Sequence, residues 1–91
     1  MNKARRTAIA TEIAKARDLI EQLRDHMSAL ESLKDEEQEC YDNMPAGLQE
    51  SDGGEKILDT ATMLEQCVSD MDEAIDQIAT GMDEIEEAVA A

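Results

Sequence analysis

Tryptophan and phenylalanine are missing from this chain, and Tyr41 is its whole aromatic content. A compact globule usually packs around large aromatic side chains, so 91 residues without them point away from a self-contained aromatic core. No run of about 18 apolar residues occurs, so no membrane span is expected. The basic start Met1-Asn2-Lys3-Ala4-Arg5-Arg6 leads into no uninterrupted apolar segment, and a secretory signal is not expected either. Cations are scarce: 8 Lys+Arg stand against 23 Asp+Glu, for a formal charge of −15. Binding to a phosphate backbone needs a basic surface, so direct nucleic-acid binding is excluded as a default. What is present in quantity is aliphatic. Hydrophobic residues make up 42% of the chain, too many and too regularly placed for a disordered acidic tail.

Their spacing predicts the fold. Ile57, Ala61, Leu64, Val68, Met71, Ile75, Ile78, Met82, Ile85 and Val89 step by 4-3-4-3. Ile9, Ile13, Ala16, Ile20, Leu23, Met27 and Leu30 keep the same rhythm. A mean step of about 3.5 residues is the mark of helices that wrap around a partner helix. In heptad terms Ile13, Ile20 and Met27 take position a of the first segment, and Ala61, Val68, Ile75 and Met82 take a of the second.

Between the segments lies Asp42-Asn43-Met44-Pro45-Ala46-Gly47-Leu48-Gln49-Glu50-Ser51-Asp52-Gly53-Gly54. Pro45 donates no backbone hydrogen bond and disfavours helix at the residue before it, so the first helix should stop near Tyr41 to Asn43. The Met44-Pro45 step can open one short helical turn. Asp52 with Glu55 fits a capping box, which starts the second helix near Asp52. The expectation is an all-α, single-domain antiparallel two-helix hairpin of coiled-coil type. Helix 1 covers about 4–42, the connector about 43–52 and helix 2 about 53–90.

Charge favours that orientation. Residues 1–34 carry seven basic and five acidic groups, whereas residues 35–91 carry one basic and eighteen acidic groups. Arg5 and Arg6 lie near a helix N-terminus, and Asp83, Glu84, Glu86 and Glu87 near a C-terminus, each against its helix dipole. Antiparallel pairing brings these ends together. Arg17 and Arg24, at e positions, can face Glu65 or Asp72. Exposed pairs of this kind contribute little stability, so charge selects orientation while apolar burial stabilises. On the second helix the g column is small throughout: Thr60, Cys67, Ala74, Gly81 and Ala88. That flank permits close approach of another helix, and self-association into a four-helix-bundle dimer is expected.

Catalysis finds little footing. His26, the only histidine, sits at a g position beside the seam, where a packing or solvent-edge role fits better than a triad. Gly53-Gly54 lacks the Lys-Ser/Thr of a phosphate loop. The connector has Met44 and Ala46 where a calcium loop needs oxygen ligands, and the aliphatic seam offers no Glu-x-x-His for a di-metal bundle. No catalytic residue, no specific metal site and no cofactor are therefore expected. Cys40 and Cys67 should stand about 14 Å apart along a hairpin, beyond the roughly 7 Å Cα limit of a disulfide. With no secretory signal expected, reduced thiols in a cytoplasmic protein are the natural reading.

The acidic surface is the remaining functional candidate. From Glu55 to Glu87 eleven carboxylates are spread over about 48 Å of helix, one per about 4.4 Å. Duplex DNA presents one charge per roughly 1.7 Å, so two hairpins side by side approach that density. Asp70, Asp72, Glu73, Asp76, Asp83, Glu84, Glu86 and Glu87 form the candidate acidic face. The bland alternative is a solvated face that keeps a bundle soluble.

The stretch Leu33-Lys34-Asp35-Glu36-Glu37-Gln38-Glu39-Cys40-Tyr41-Asp42-Asn43-Met44-Pro45-Ala46-Gly47-Leu48-Gln49 resembles a recurring segment of small acidic proteins carried by bacteriophages and integrated elements. As in those proteins, an acidic helix follows, here with Met71-Asp72-Glu73-Ala74-Ile75-Asp76. The resemblance covers roughly the last two-thirds of the chain. It implies an accessory phage protein in a bacterial cytoplasm, of a kind that often inhibits host machinery or defence, and it carries no established activity. Tyr41, Asp42, Asn43, Pro45, Leu48 and Gln49 are the connector residues that would carry a specific contact. Their competing role is to shape the turn. The leading expectation is a non-enzymatic binding protein that blocks a host protein with a basic, nucleic-acid-binding surface. A structural or assembly coiled coil stays open beside it. So does a sponge for a small anionic ligand, held by Arg5, Arg6, Lys15 or Arg17.

Overall fold

The computed structural model describes residues 2–90. Three helices follow in order, α1 (Lys3–Asp42), α2 (Ala46–Gln49) and α3 (Asp52–Ala90). No strand occurs among the described residues, and the protein is all-α. Local chemistry sets each boundary. Asn2 caps α1: its Oδ1 accepts the Arg5 N–H at 2.7 Å, satisfying one of the donors a helix start leaves free. The helix ends where Met44 N–H turns back to Tyr41 O at 3.1 Å, just ahead of Pro45. Pro45 has a φ of −57°, and its carbonyl accepts from Leu48 and Gln49 to form the single turn of α2.

The cap of α3 corrects the sequence reading. Ser51, not Asp52, is the residue ahead of the helix, and its Oγ accepts the Gly54 N–H at 3.2 Å. The Ser51 carbonyl takes the Glu55 N–H at 2.9 Å. Glu55 thus lies one place too late to close a capping box, although Asp52 and Glu55 both keep negative charge in the first turn.

The chain divides into two compact units. The turn unit is His26–Met71, and the terminal unit combines 2–25 with 72–90. In the turn unit the later part of α1 and the earlier part of α3 run antiparallel, joined by α2. Met27, Ala61 and Gly54 are buried there, with Leu30, Ile57, Leu64 and Val68 half-buried around them. Polar residues continue the seam towards the turn: Lys34, Glu37 and Tyr41 are half-buried on the same line.

The terminal unit is also an antiparallel pair. Arg17 reaches Asp83 and Glu86, while Arg24, further along α1, reaches back to Asp72 and Asp76. Ile75 is completely buried and Met82 nearly so. The expected seam is only partly correct here. Ile78, Ile85 and Leu23, each at a d position, are 51%, 46% and 37% exposed, while Ala79 at e is half-buried. An α-helix has 3.6 residues per turn, so a 3.5-residue stripe drifts about 20° per heptad unless the helices supercoil to follow it. In this unit α3 has rolled with that drift, from an a/d face to an a/e face. The small side chain of Ala79 lets α1 close over it, and Ile78 and Ile85 turn outward.

Candidate partner-binding surfaces

The roll of α3 decides what its carboxylates do. Residues at b and e of α3 face the e column of α1, and the ion pairs of the terminal unit gather on that flank. Arg17 Nε donates to Glu86 Oε1 at 2.7 Å and Arg17 Nη2 to Asp83 Oδ1 at 2.7 Å. Arg24 approaches Asp72 at 3.7 Å and Asp76 at 4.0 Å. The two hydrogen bonds, Glu86 first and Asp83 second, hold the Arg17 guanidinium above its ordinary pKa range. Four of the expected acidic-face residues, Asp72, Asp76, Asp83 and Glu86, are therefore engaged within the chain. Glu73, Glu84 and Glu87 are exposed on the outer face of α3 and take part in none of these pairs.

Among the described residues no ion pair joins Arg5 or Arg6 to the end of α3, where they were expected to act. Arg17 pairs there with Asp83 and Glu86, while Arg5 is exposed and Arg6 is half-buried, its Nε without a hydrogen-bond partner among the described residues. Beside the ion pairs runs a groove of about 410 Å³ lined by Arg17, Arg24, Asp18, Glu21, Ile20, Ala79 and Met82. An anionic ligand entering it would have to displace two carboxylates from Arg17.

Besides Asp70, the turn unit exposes carboxylates outside the expected acidic face. His26–Met71 holds twelve Asp+Glu and two Lys, a net charge of −10, against −5 for the rest of the chain. Asp35, Glu36, Glu39, Glu50, Asp52, Glu55 and Asp59 are all exposed, as is Asp70, whose Oδ1 accepts from Gln66 Nε2 at 2.8 Å. One of the two lysines is already committed. Lys34 Nζ lies 2.7 Å from Asp35, which with the nearby charges of Glu65 and Glu31 raises its pKa above the ordinary lysine range. Glu65 thus acts on Lys34 and takes no part in the ion pairs of Arg17 and Arg24. The signal was available in the sequence, since residues 35–59 hold nine Asp+Glu and one Lys. The repetitive acidic pattern of the C-terminal half masks it.

The connector divides by role. Gln49 Nε2 donates to Tyr41 O at 2.8 Å, tying the end of α1 to α2, and both residues are half-buried. Asp42 accepts from Gln38 Nε2 at 3.0 Å but is exposed, as are Asn43, Pro45 and Leu48. Tyr41 and Gln49 shape the turn; Asp42, Asn43, Pro45 and Leu48 face outward.

His26 is exposed, and Cys40 and Cys67 are exposed free thiols. Among the described residues no group of three or more His, Cys, Asp or Glu is arranged to hold a metal ion. No helix among them is long and apolar enough to cross a membrane. Compared with known proteins, the chain matches no family model, no curated protein and no solved structure.

Proposed function

We propose that this chain is a non-catalytic, phage-type binding protein that inhibits or modulates a host protein, offering carboxylates to a basic surface that normally holds nucleic acid. It acts in the bacterial cytoplasm as a homodimeric four-helix bundle. The observation that supports this most is the net charge of −10 within the 46 residues of the turn unit. That excess is larger than the solubility of a small domain requires, since a net charge of about 2 to 8 suffices. It also surrounds the outward-facing connector residues Asp42, Asn43, Pro45 and Leu48. The turn unit thereby combines a field that draws a basic partner with side chains that can recognise it.

A structural or assembly role is the second reading, supported by the exposed apolar side chains of the terminal unit. The anionic-ligand sponge loses support from the double engagement of Arg17.

Capture from bacterial lysate on immobilised protein, at low and high salt and with duplex DNA as competitor, separates the readings. Binding through the turn unit should be released by salt and by DNA, and lost when Asp35, Glu36, Glu39 and Asp59 become Asn or Gln. Neutralising Glu73, Glu84 and Glu87 should matter less. Capture that resists salt, DNA and these substitutions would refute nucleic-acid mimicry.

A further inference from the structure

The two free thiols of the turn unit differ in what stands beside them. Cys67 Sγ donates a weak hydrogen bond to Met71 Sδ, 3.8 Å away and about one turn further along α3. Met63 precedes Cys67 by the same interval of four residues. Side chains so spaced in a helix lie one above the other, with Cβ atoms about 5 to 6 Å apart. Each step of four turns the helix by only about 40°, so the three sulfur-bearing residues form one stripe with the thiol at its centre. All three belong to the turn unit. Cys40 has a different setting. Met44, four residues after it, lies beyond the end of α1 at Asp42, and the residue four places before it is Glu36.

The two methionines are held differently. Met71 is half-buried at its d position, which keeps its thioether against the helix pair and beside the thiol. Met63, at c, is 71% exposed, more than any other large apolar side chain among the described residues. Its thioether is open to solvent and, on three rotatable bonds, free to swing towards Cys67.

Sulfur chemistry selects the ligand. Thiolate and thioether are soft donors, and a site that mixes them suits Cu(I). Zinc sites are built from Cys, His, Asp and Glu without methionine, and calcium and magnesium take oxygen. Among the described residues no group of three or more His, Cys, Asp or Glu is arranged for such ions. With metal–sulfur bonds of about 2.3 Å, two sulfurs 3.8 Å apart subtend about 110° at the metal, close to a trigonal angle and leaving a third place. The hydrogen bond sets the Cys67 proton between the two sulfurs, where an ion would take its place. The net charge of −10 on the turn unit favours a cation there.

We propose that Cys67, Met71 and Met63 form a site for one soft monovalent ion, Cu(I). On binding, the Cys67 thiol releases its proton to water, Sγ bonds to copper, and each thioether donates a lone pair. Copper remains Cu(I) throughout, so the step consumes neither oxidant nor reductant. This binding activity goes beyond capture of a host protein and does not depend on it.

Competition between the two thiols of one molecule tests it. The full chain, under nitrogen, receives one equivalent of Cu(I) as its acetonitrile complex and is then alkylated with iodoacetamide. Peptide mass spectrometry reads each cysteine separately. Alkylation of Cys67 should slow at least tenfold, and that of Cys40 less than twofold. Leucine keeps the volume of methionine and removes its sulfur, so Met71→Leu and Met63→Leu should stay helical by circular dichroism. Each should bring the difference between the thiols below about twofold. Zn(II) in place of Cu(I) should produce no difference. Equal protection of Cys40 and Cys67 would overturn the proposal, as would a preference for Cys67 that survives either leucine substitution or appears with Zn(II). None of these readouts involves a captured protein, so this proposal and the one above fail separately.

Discussion

Gly54 rests directly on Leu48. A Cβ added at Gly54 would collide with the Leu48 carbonyl oxygen and stand 2.8 Å from the Gln49 Cα, all of it backbone that cannot swing aside. The first turn of α3 therefore seats on α2 only because residue 54 has no side chain. Gly54→Ala should destabilise the protein by about 2 to 4 kcal/mol, within the range of overpacking and strained-site substitutions. Gly47 lies in open space inside α2, where a Cβ would meet nothing. Gly47→Ala should be neutral or stabilising by up to about 1 kcal/mol. Urea unfolding of the two variants side by side reads the difference, and equal effects would mean that the contact at Gly54 is not as described.

Ser51 and Asp52 can be told apart by the same measurement. Because the Ser51 Oγ satisfies the Gly54 N–H, Ser51→Ala should cost about 1 kcal/mol. Asp52, already inside α3, interacts only with the helix dipole, so Asp52→Ala should cost about 0.5 kcal/mol or less. The reverse order would restore the capping box that the sequence suggested.

The Arg17 pairs should show themselves through salt. Arg17→Ala should lower the melting temperature at 0.02 M salt, and the difference should shrink towards 1 M, where screening acts within about 3 Å. The pH dependence has a definite sign. Hydrogen bonds donated to Glu86 and Asp83 raise the Arg17 pKa, so this stabilisation is complete below the ordinary guanidinium range. It is lost only as pH rises through the raised value. Between about pH 6 and 10 the difference between wild type and variant should stay flat. A variant whose deficit is unchanged at high salt would show that Arg17 acts by packing its stem.

Much of this fold is legible in the sequence because its causes are local. Pro45 ends α1 by lacking a donor, and the apolar rhythm makes both long segments helical wherever they lie. Ile75 and Met82 are buried as that rhythm requires. Ile78 and Ile85 obey the same rhythm yet face water, because burial depends on how far α3 rolls against α1. That roll is settled by pairwise packing at Ala79 and by the reach of Arg17, neither of which a heptad pattern contains. The acidic face illustrates the same limit. Counting carboxylates along α3 locates charge, but not which groups Arg17 and Arg24 already hold. Nor does it mark where one unit gives way to the other, and that boundary puts two-thirds of the net charge in the turn unit.

Ile75 and Ile78 turn that distinction into a measurement. They are three residues apart in one helix, with the same side chain and the same propensity, so a difference between them reports packing alone. Ile75 has no exposed surface, and truncation leaves a cavity that a thin two-helix core can close only in part. Ile75→Ala should therefore cost about 3 kcal/mol, independent of protein concentration. Ile78 is half exposed, and Ile78→Ala in dilute protein should cost well under about 1 kcal/mol, since little surface leaves contact and alanine favours helix. Raising the concentration should widen the Ile78 deficit if a second copy covers that side chain, because association then adds to the stability of the wild type alone. Denaturant midpoints at 1 and 100 µM would resolve this. Equal costs at the two positions would mean that α3 keeps the a/d face its sequence spells out, and that the roll described above does not occur.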